Sequence, residues 1–147
     1  MTHLLSSKTL VGLQFSSLFL LALPLYPTNP YLLWLNTLAF SLAIVLGLWT
    51  FVHHKIGSFN ITPEIKENAT LIQSGPYRYI RHPMYTAVIL VGIAMLVSFA
   101  LWKVAVFTLL VVILYTKAKR EEGYWSEQNS DYKAYKEESE MFIPFIF

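Results

Sequence analysis

The chain has 147 residues, enough for one domain. It is 55% hydrophobic and only 14% charged, where soluble domains carry about 25% charge. That deficit points to a membrane protein. The absence of cysteine excludes disulfides, thiolate nucleophiles, cysteine-based zinc sites and palmitoylation. A net charge of only +2, with no basic patch interleaved with aromatics, excludes a nucleic-acid partner.

The first apolar run, "TLVGLQFSSLFLLALPLY", covers residues 9–26. It is uncharged but carries Gln14, Ser16 and Ser17. It just reaches the length needed to cross a bilayer core, about 20 residues. Only Lys8 precedes it, and "PTNP" follows it without a small-x-small cleavage site, so a retained helix is favoured over a signal peptide. The second run, "YLLWLNTLAFSLAIVLGLWTFV", covers residues 31–52. Tyr31, Trp34 and Trp49 stand towards its ends as an aromatic belt would. The turn-rich link predicts that the first two runs form a hairpin.

Residues 84–102 and 104–116 are two further uncharged runs, the second extending to about residue 118 by snorkelling. As one helix they would be about 50 Å long at 1.5 Å per residue, so a turn is predicted at Lys103, with its ammonium snorkelling to the far interface. Lys103 is the only lysine or arginine between Arg81 and Lys117. Four crossings (9–26, 31–52, 84–102 and 104–118) put Lys8, Lys55, Lys66, Arg78, Arg81, Lys117, Lys119 and Arg120 on one side. By the positive-inside rule that side is cytoplasmic, with both termini, the loop 53–83 and the tail 119–147. In the tail, residues 117–138 have helical spacing, with Tyr124, Gln128, Tyr132 and Tyr135 on one face, as in an amphipathic interfacial helix. The closing "MFIPFIF" is too short to span and is expected to anchor against the bundle or the headgroups. The fold class is therefore an all-α integral membrane bundle of about four transmembrane helices in two hairpins, a single domain over 1–147, plus a C-terminal interfacial helix.

Residues 74–85, "SGPYRYIRHPMY", are too rich in functional groups to be ordinary loop. Gly75-Pro76 is a turn, and Pro83 suits the first position of a helix. Arg81 and His82 then lie at a helix N-terminus, whose partial positive charge and free N–H groups suit an anion. Tyr85 falls in the first turn. Glu121-Glu122 follows the fourth run, so a hairpin of the last two membrane helices brings these carboxylates opposite Arg81, His82 and Tyr85. The gap suits a ligand of both signs. S-adenosylmethionine is one, with a carboxylate, an ammonium, a sulfonium and a ribose diol. A phospholipid headgroup has the same mixed charge. The plainer readings are that the arginines set topology and that Glu121 pairs with Lys117 at i,i+4 on a solvated face. His53-His54 has no carboxylate at ligand spacing and is not read as a metal site. Asn60-Ile61-Thr62 matches a glycosylation pattern but lies on the expected cytoplasmic side.

"LIQSGPYRYIRHPMY", then "EE" about 35 residues on, then "DYKAYKEESEMFIP", resembles the isoprenylcysteine carboxyl methyltransferase family, to which phosphatidylethanolamine N-methyltransferases are related. The resemblance runs over about residues 50–145. It implies an integral membrane methyltransferase that takes S-adenosylmethionine from the cytoplasm and a lipophilic acceptor from the bilayer. On this sequence it implies His82, Tyr85, Glu121, Glu122, Tyr77 and Arg78 as cofactor-site residues, and Glu122, His82 and Arg81 as candidates for the chemistry. The chain departs from the family pattern at four places. Lys117 stands where an arginine is usual, Trp125 for a leucine, Gln128-Asn129 for Phe-Gly, and Thr70 for a frequent histidine. Two other functions fit the same sequence: a fold-related membrane reductase using a nicotinamide cofactor, and a non-enzymatic membrane adaptor. The acceptor, the particular membrane and the oligomeric state are not encoded in any motif.

Overall fold

A computed structural model describes residues 5–23, 30–54, 60–65, 69–96 and 100–146. Among these the regular structure is helical. Helix α1 is Ser7–Ala22, α2 is Pro30–His53, α3 is Pro83–Met95, α4 is Leu101–Gln128 and α5 is Tyr132–Glu138, with a 3-10 turn at Gly75–Arg78. The links at 24–29 and 97–99 lie outside the described residues, and so does the predicted "PTNP" turn.

The helix starts follow from local chemistry. The Ser6 hydroxyl accepts the Thr9 N–H and caps α1, as N-cap serines do. Prolines open α2 and α3, where the missing N–H costs nothing. Two helices, α2 and α4, are long and apolar enough to cross a membrane. The helices α1 and α3 are apolar but shorter. The 13 residues of α3 rise only about 20 Å, less than a bilayer core of about 30 Å.

Three boundaries differ from the sequence expectation. First, α3 stops at Met95 rather than 102, and α4 starts at Leu101. The turn therefore lies before Lys103, not at it. Lys103 occupies the first turn of α4, is fully buried, and donates from Nζ to the Met95 carbonyl at 3.3 Å. It serves the last carbonyl of α3 instead of snorkelling outward. Second, α4 does not end near 118. It continues for 28 residues to Gln128, about 42 Å. "KAKREE" is strong helix former without a breaker, so the polarity changes while the backbone does not. Third, the separate interfacial helix over 117–138 is replaced by this extension, a break at Asn129–Asp131, and the seven-residue α5. Tyr132 and Tyr135 are buried, whereas Gln128 is exposed.

The packing joins the second helix to the third and the first to the fourth, with smaller α3–α4 and α1–α3 contacts. The expected pairing of the first two helices is thus not the main one. Asn36, Ala39, Ala43 and Thr50 form the buried stripe of α2, while Tyr31, Trp34, Val45 and Val52 point outward. Small residues on a contact stripe allow close approach of helices in lipid. Gly92 does the same for α3, since a Cβ there would press on the Phe107 ring and Leu110 of α4. Leu21, Leu110 and Leu114 make the core where α1 and α4 meet, with Tyr85, Val88 and Ile89 of α3 packed on it.

The segment after α5 returns to the motif region as a strap. Ile80 and Glu140 form a parallel bridge. The Arg81 N–H donates to the Glu140 carbonyl, the His82 N–H to the Met141 carbonyl, and the Glu140 N–H to the Tyr79 carbonyl. Met141 and Phe142 are buried on Ala118, Tyr85 and Ile89, and Thr86 Oγ1 donates to the Phe142 carbonyl at 2.9 Å. Part of "MFIPFIF" is therefore core, while Phe145 and Ile146 remain exposed.

Candidate functional site

The 3-10 turn sets the motif's path. Gly75 has φ of +61°, the left-handed region that only glycine enters freely. A Cβ there would also collide with the His53 ring at the end of α2. The turn then places Tyr77 so that its hydroxyl meets His54 Nδ1 at 2.9 Å. The Tyr77 carbonyl accepts from the Tyr135 hydroxyl at 2.6 Å. Burial pushes both phenols up, with the Glu121 carboxylate adding to the effect. The Tyr135 phenol reaches about 12 and the Tyr77 phenol lies higher. Both stay protonated donors at any physiological pH.

Glu121 and Glu122 are adjacent on α4, so they point about 100° apart. Glu122 turns inward and is 2% exposed. Its Oε1 accepts from Arg81 Nε at 2.8 Å, and its Oε2 is 2.9 Å from Lys136 Nζ of α5. Arg81 Nη1 also donates to the carbonyls of Lys136 and Ser139. A charge-assisted cluster of this kind ties α3, α4, α5 and the strap to one point. Glu121 turns to the other side, with a side chain 32% exposed. It accepts from the Tyr85 hydroxyl at 3.2 Å and lies 3.7 Å from His82 Nδ1. The His82 imidazole lies between the two carboxylates, with Nε2 3.7 Å from Glu122. It stacks on the Tyr85 ring at 5.5 Å between centroids.

These groups border a cavity of about 270 Å³, near the lower end of the range for small-ligand pockets. Of the residues singled out in the sequence, Tyr77, Arg81, His82, Tyr85 and Glu121 line it. Glu122 does not, being committed to Arg81 and Lys136 behind the wall. Arg78 is exposed and is not among the lining residues either. The anion site expected from free N–H groups before α3 is largely filled from within. The N–H groups of Arg81 and His82 go to the strap, and the guanidinium goes to Glu122 and two carbonyls.

Three lining features escaped the sequence reading. Gln14 of α1 and Lys117 of α4 meet inside the bundle, with Lys117 Nζ 2.6 Å from Gln14 Oε1. Trp125 and Tyr132 stack as an aromatic wall. The segments 60–65 and 69–72 supply the facing wall, shaped by an Asx turn in which Asn60 reaches the Thr62 N–H and the Glu64 carbonyl. Burial pushes the Glu64 carboxyl up, but hydrogen bonds from Ser7 and Thr62 outweigh it and hold the group below the usual carboxylate range. A polar residue inside an apolar run, and a cation one turn before Glu121 on the same helix face, were the available signals for the first pair. The loop wall had none.

No curated protein and no solved structure matches the chain. The family model of the isoprenylcysteine carboxyl methyltransferase family matches residues 35–127, which hold most of α2, all of α3 and most of α4, and so also Tyr77 through Glu122. A match over more than half of the chain, on the segment that builds this cavity, means that the chain belongs to the isoprenylcysteine carboxyl methyltransferase family of membrane methyltransferases.

Proposed function

We propose that this chain transfers a methyl group from S-adenosylmethionine to a lipophilic acceptor drawn from the bilayer. The proposal includes a four-crossing topology with the site and both termini at the cytoplasmic face. The observation that carries it is the cavity lining, which passes from Glu121, His82 and Tyr85 to apolar residues such as Val88 and Phe15 without leaving one space. The donor set fits the cofactor. Glu121 offers a carboxylate for an ammonium or a ribose diol, His82 and Tyr85 offer polar ring atoms, and Trp125 and Tyr132 offer an aromatic wall. When bound, S-adenosylmethionine supplies an electrophilic methyl group on a sulfonium.

The protein's share is positioning and exclusion of water. The Arg81–Glu122 pair packs beside His82, whose imidazole lies between the Glu121 and Glu122 carboxylates. The Tyr85 hydroxyl fixes the direction of the Glu121 carboxylate. The strap over residues 79–82 closes this wall against solvent. A carboxylate acceptor, as on an isoprenylcysteine, needs no general base. A phospholipid amine needs one or arrives deprotonated, and His82 and Glu121 are then the groups within reach.

The test is calorimetric titration of the purified, lipid-reconstituted protein with S-adenosylhomocysteine. Micromolar binding is expected, lost by at least about tenfold in Glu121→Gln and His82→Ala. A folded wild type that binds no S-adenosylhomocysteine in lipid would end the methyltransferase assignment for this cavity.

A further inference from the structure

Two stacked ring pairs line the cavity, His82–Tyr85 and Trp125–Tyr132. The first is already occupied at both rings. The Lys117 ammonium lies 5.2 Å over the Tyr85 ring, and Phe142 tilts against His82 at 6.0 Å between centroids. In the second pair the inner ring is closed. Tyr132 is 2% exposed, and the Tyr135 ring meets it edge-on at 5.9 Å. The outer ring is not. Trp125 is half-buried, has Tyr132 stacked against it at 6.2 Å, and makes no further ring or cation contact among the described residues. An indole face is therefore available to a ligand in the cavity.

The helix dictates where that face lies. Lys117, Glu121 and Trp125 stand at i, i+4 and i+8 on α4, and all three line the cavity. They form one stripe, rising about 6 Å per step. The stripe reaches Trp125 because α4 runs on to Gln128 instead of ending with its apolar stretch. Tyr132 of α5 then backs the indole. A leucine is usual at this position in the family pattern, so the aromatic plate belongs to this chain. The stripe starts in the apolar bundle, where Lys117 meets Gln14, passes a carboxylate and ends on the plate. A methyl donor must turn its sulfonium towards the acceptor. An acceptor drawn from the bilayer arrives at the Lys117 end, so the base of the donor points to the other end.

We infer that Trp125, backed by Tyr132, is the stacking subsite for the adenine ring of the methyl donor, and that it sets the direction in which the donor lies along α4. A purine gains on an indole face through its π surface alone, with no donor or acceptor required. Tyr132 holds the indole from behind and acts as a positioning residue. The inference rests on the methyl donor proposed above and supplies the orientation which that reading left open.

The test measures binding and needs no acceptor. Lipid-reconstituted protein is titrated with S-adenosylhomocysteine, and S-ribosylhomocysteine, which lacks the base, is run in competition with it. The wild type is expected to bind S-adenosylhomocysteine about tenfold or more tighter than S-ribosylhomocysteine. Trp125→Leu is expected to weaken S-adenosylhomocysteine by about fivefold or more and to leave S-ribosylhomocysteine within about twofold. Trp125→Phe is expected to keep most of the difference. Fluorescence gives a second readout, since Trp125 is one of four tryptophans and lines the cavity. S-adenosylhomocysteine is expected to quench the wild type and Trp102→Phe but not Trp125→Phe. If Trp125→Leu does not fold, the quench in Trp125→Phe decides. A folded Trp125→Leu that binds S-adenosylhomocysteine like the wild type overturns the subsite. So does an equal loss of both ligands, which would mark a packing role, or a quench that survives in Trp125→Phe. A wild type that binds no S-adenosylhomocysteine fails the methyl donor and this subsite together, whereas binding that ignores Trp125 fails the subsite alone.

Discussion

Removing the Glu122 carboxylate should be among the most destabilising single changes at the end of the bundle that holds the cavity. Glu122 is 2% exposed and the Arg81 side chain 8%, so their 2.8 Å contact is screened little by water. Breaking one partner of such a pair costs about 3–5 kcal/mol, because the other charge stays buried and uncompensated. The Lys136 contact adds little, since its side chain is 43% exposed and can return to water. Glu122→Ala is therefore expected to cost about 3–5 kcal/mol, a fall in Tm on the order of 10 °C for a chain of this size. Glu122→Gln should cost less, because its amide oxygen still accepts from Arg81 Nε. The double change Arg81→Met with Glu122→Leu removes both charges and should be more stable than Glu122→Ala alone. The assay is thermal unfolding in one detergent, read as a double-mutant cycle over Arg81→Met, Glu122→Leu and the pair. A coupling of at least about 1.5 kcal/mol is expected for contacting residues. If the two changes simply add, Arg81 is not held by Glu122, and the account of the strap and α5 as one cluster fails.

Gly75→Ala should cost about 1–2 kcal/mol from the positive φ alone, more from the His53 ring, and a fall in Tm of less than about 2 °C would contradict this. Phe142→Ala should cost about 3–5 kcal/mol as a buried aromatic truncation and should weaken S-adenosylhomocysteine binding, both read by calorimetry. The Tyr135 phenol is held up near 12 by burial. Above pH 10 the unfolded chain has released that proton and the folded chain has not, so stability falls as pH rises from 10 to 12, by up to about 1.4 kcal/mol per unit. Below pH 10 this group has no effect. Tyr135→Phe should reduce that slope by its own share, the Tyr77 phenol keeping the rest, as followed by unfolding at fixed pH values, while losing about 1 kcal/mol at neutral pH with the hydrogen bond to Tyr77.

The sequence made the apolar segments legible because periodicity is irrelevant when a whole run is apolar and length is the only signal. The ends of the runs were not legible. Lys103 was read as an interface marker, but its stem and charge are buried and serve the last carbonyl of α3. Thr116 to Glu122 looked like a boundary because polarity changed there, yet helix propensity did not. The candidate site was half legible. "RYIRHPMY" and "EE" were found because their residue types are rare beside membrane helices. That Glu121 faces the cavity and Glu122 faces Arg81 follows from the helical angle between neighbours, but the direction of either one depends on packing that no local pattern carries. The strap and the Gln14–Lys117 contact join residues 58 and 103 positions apart, and separations of that length leave no trace in a single chain.

The parallel bridge between Ile80 and Glu140 sets an order of events during synthesis. Residues 139–142 leave the ribosome after α1 to α4 have been made. Until they arrive, the Arg81 and His82 amides lack their acceptors, and the Arg81 guanidinium lacks the Ser139 carbonyl. The growing chain is thus inserted with its ligand wall unfinished. It acquires a complete wall only when the trailing segment docks, so that any stalled or clipped product embedded in the bilayer would leave the Arg81 and His82 amides without these partners.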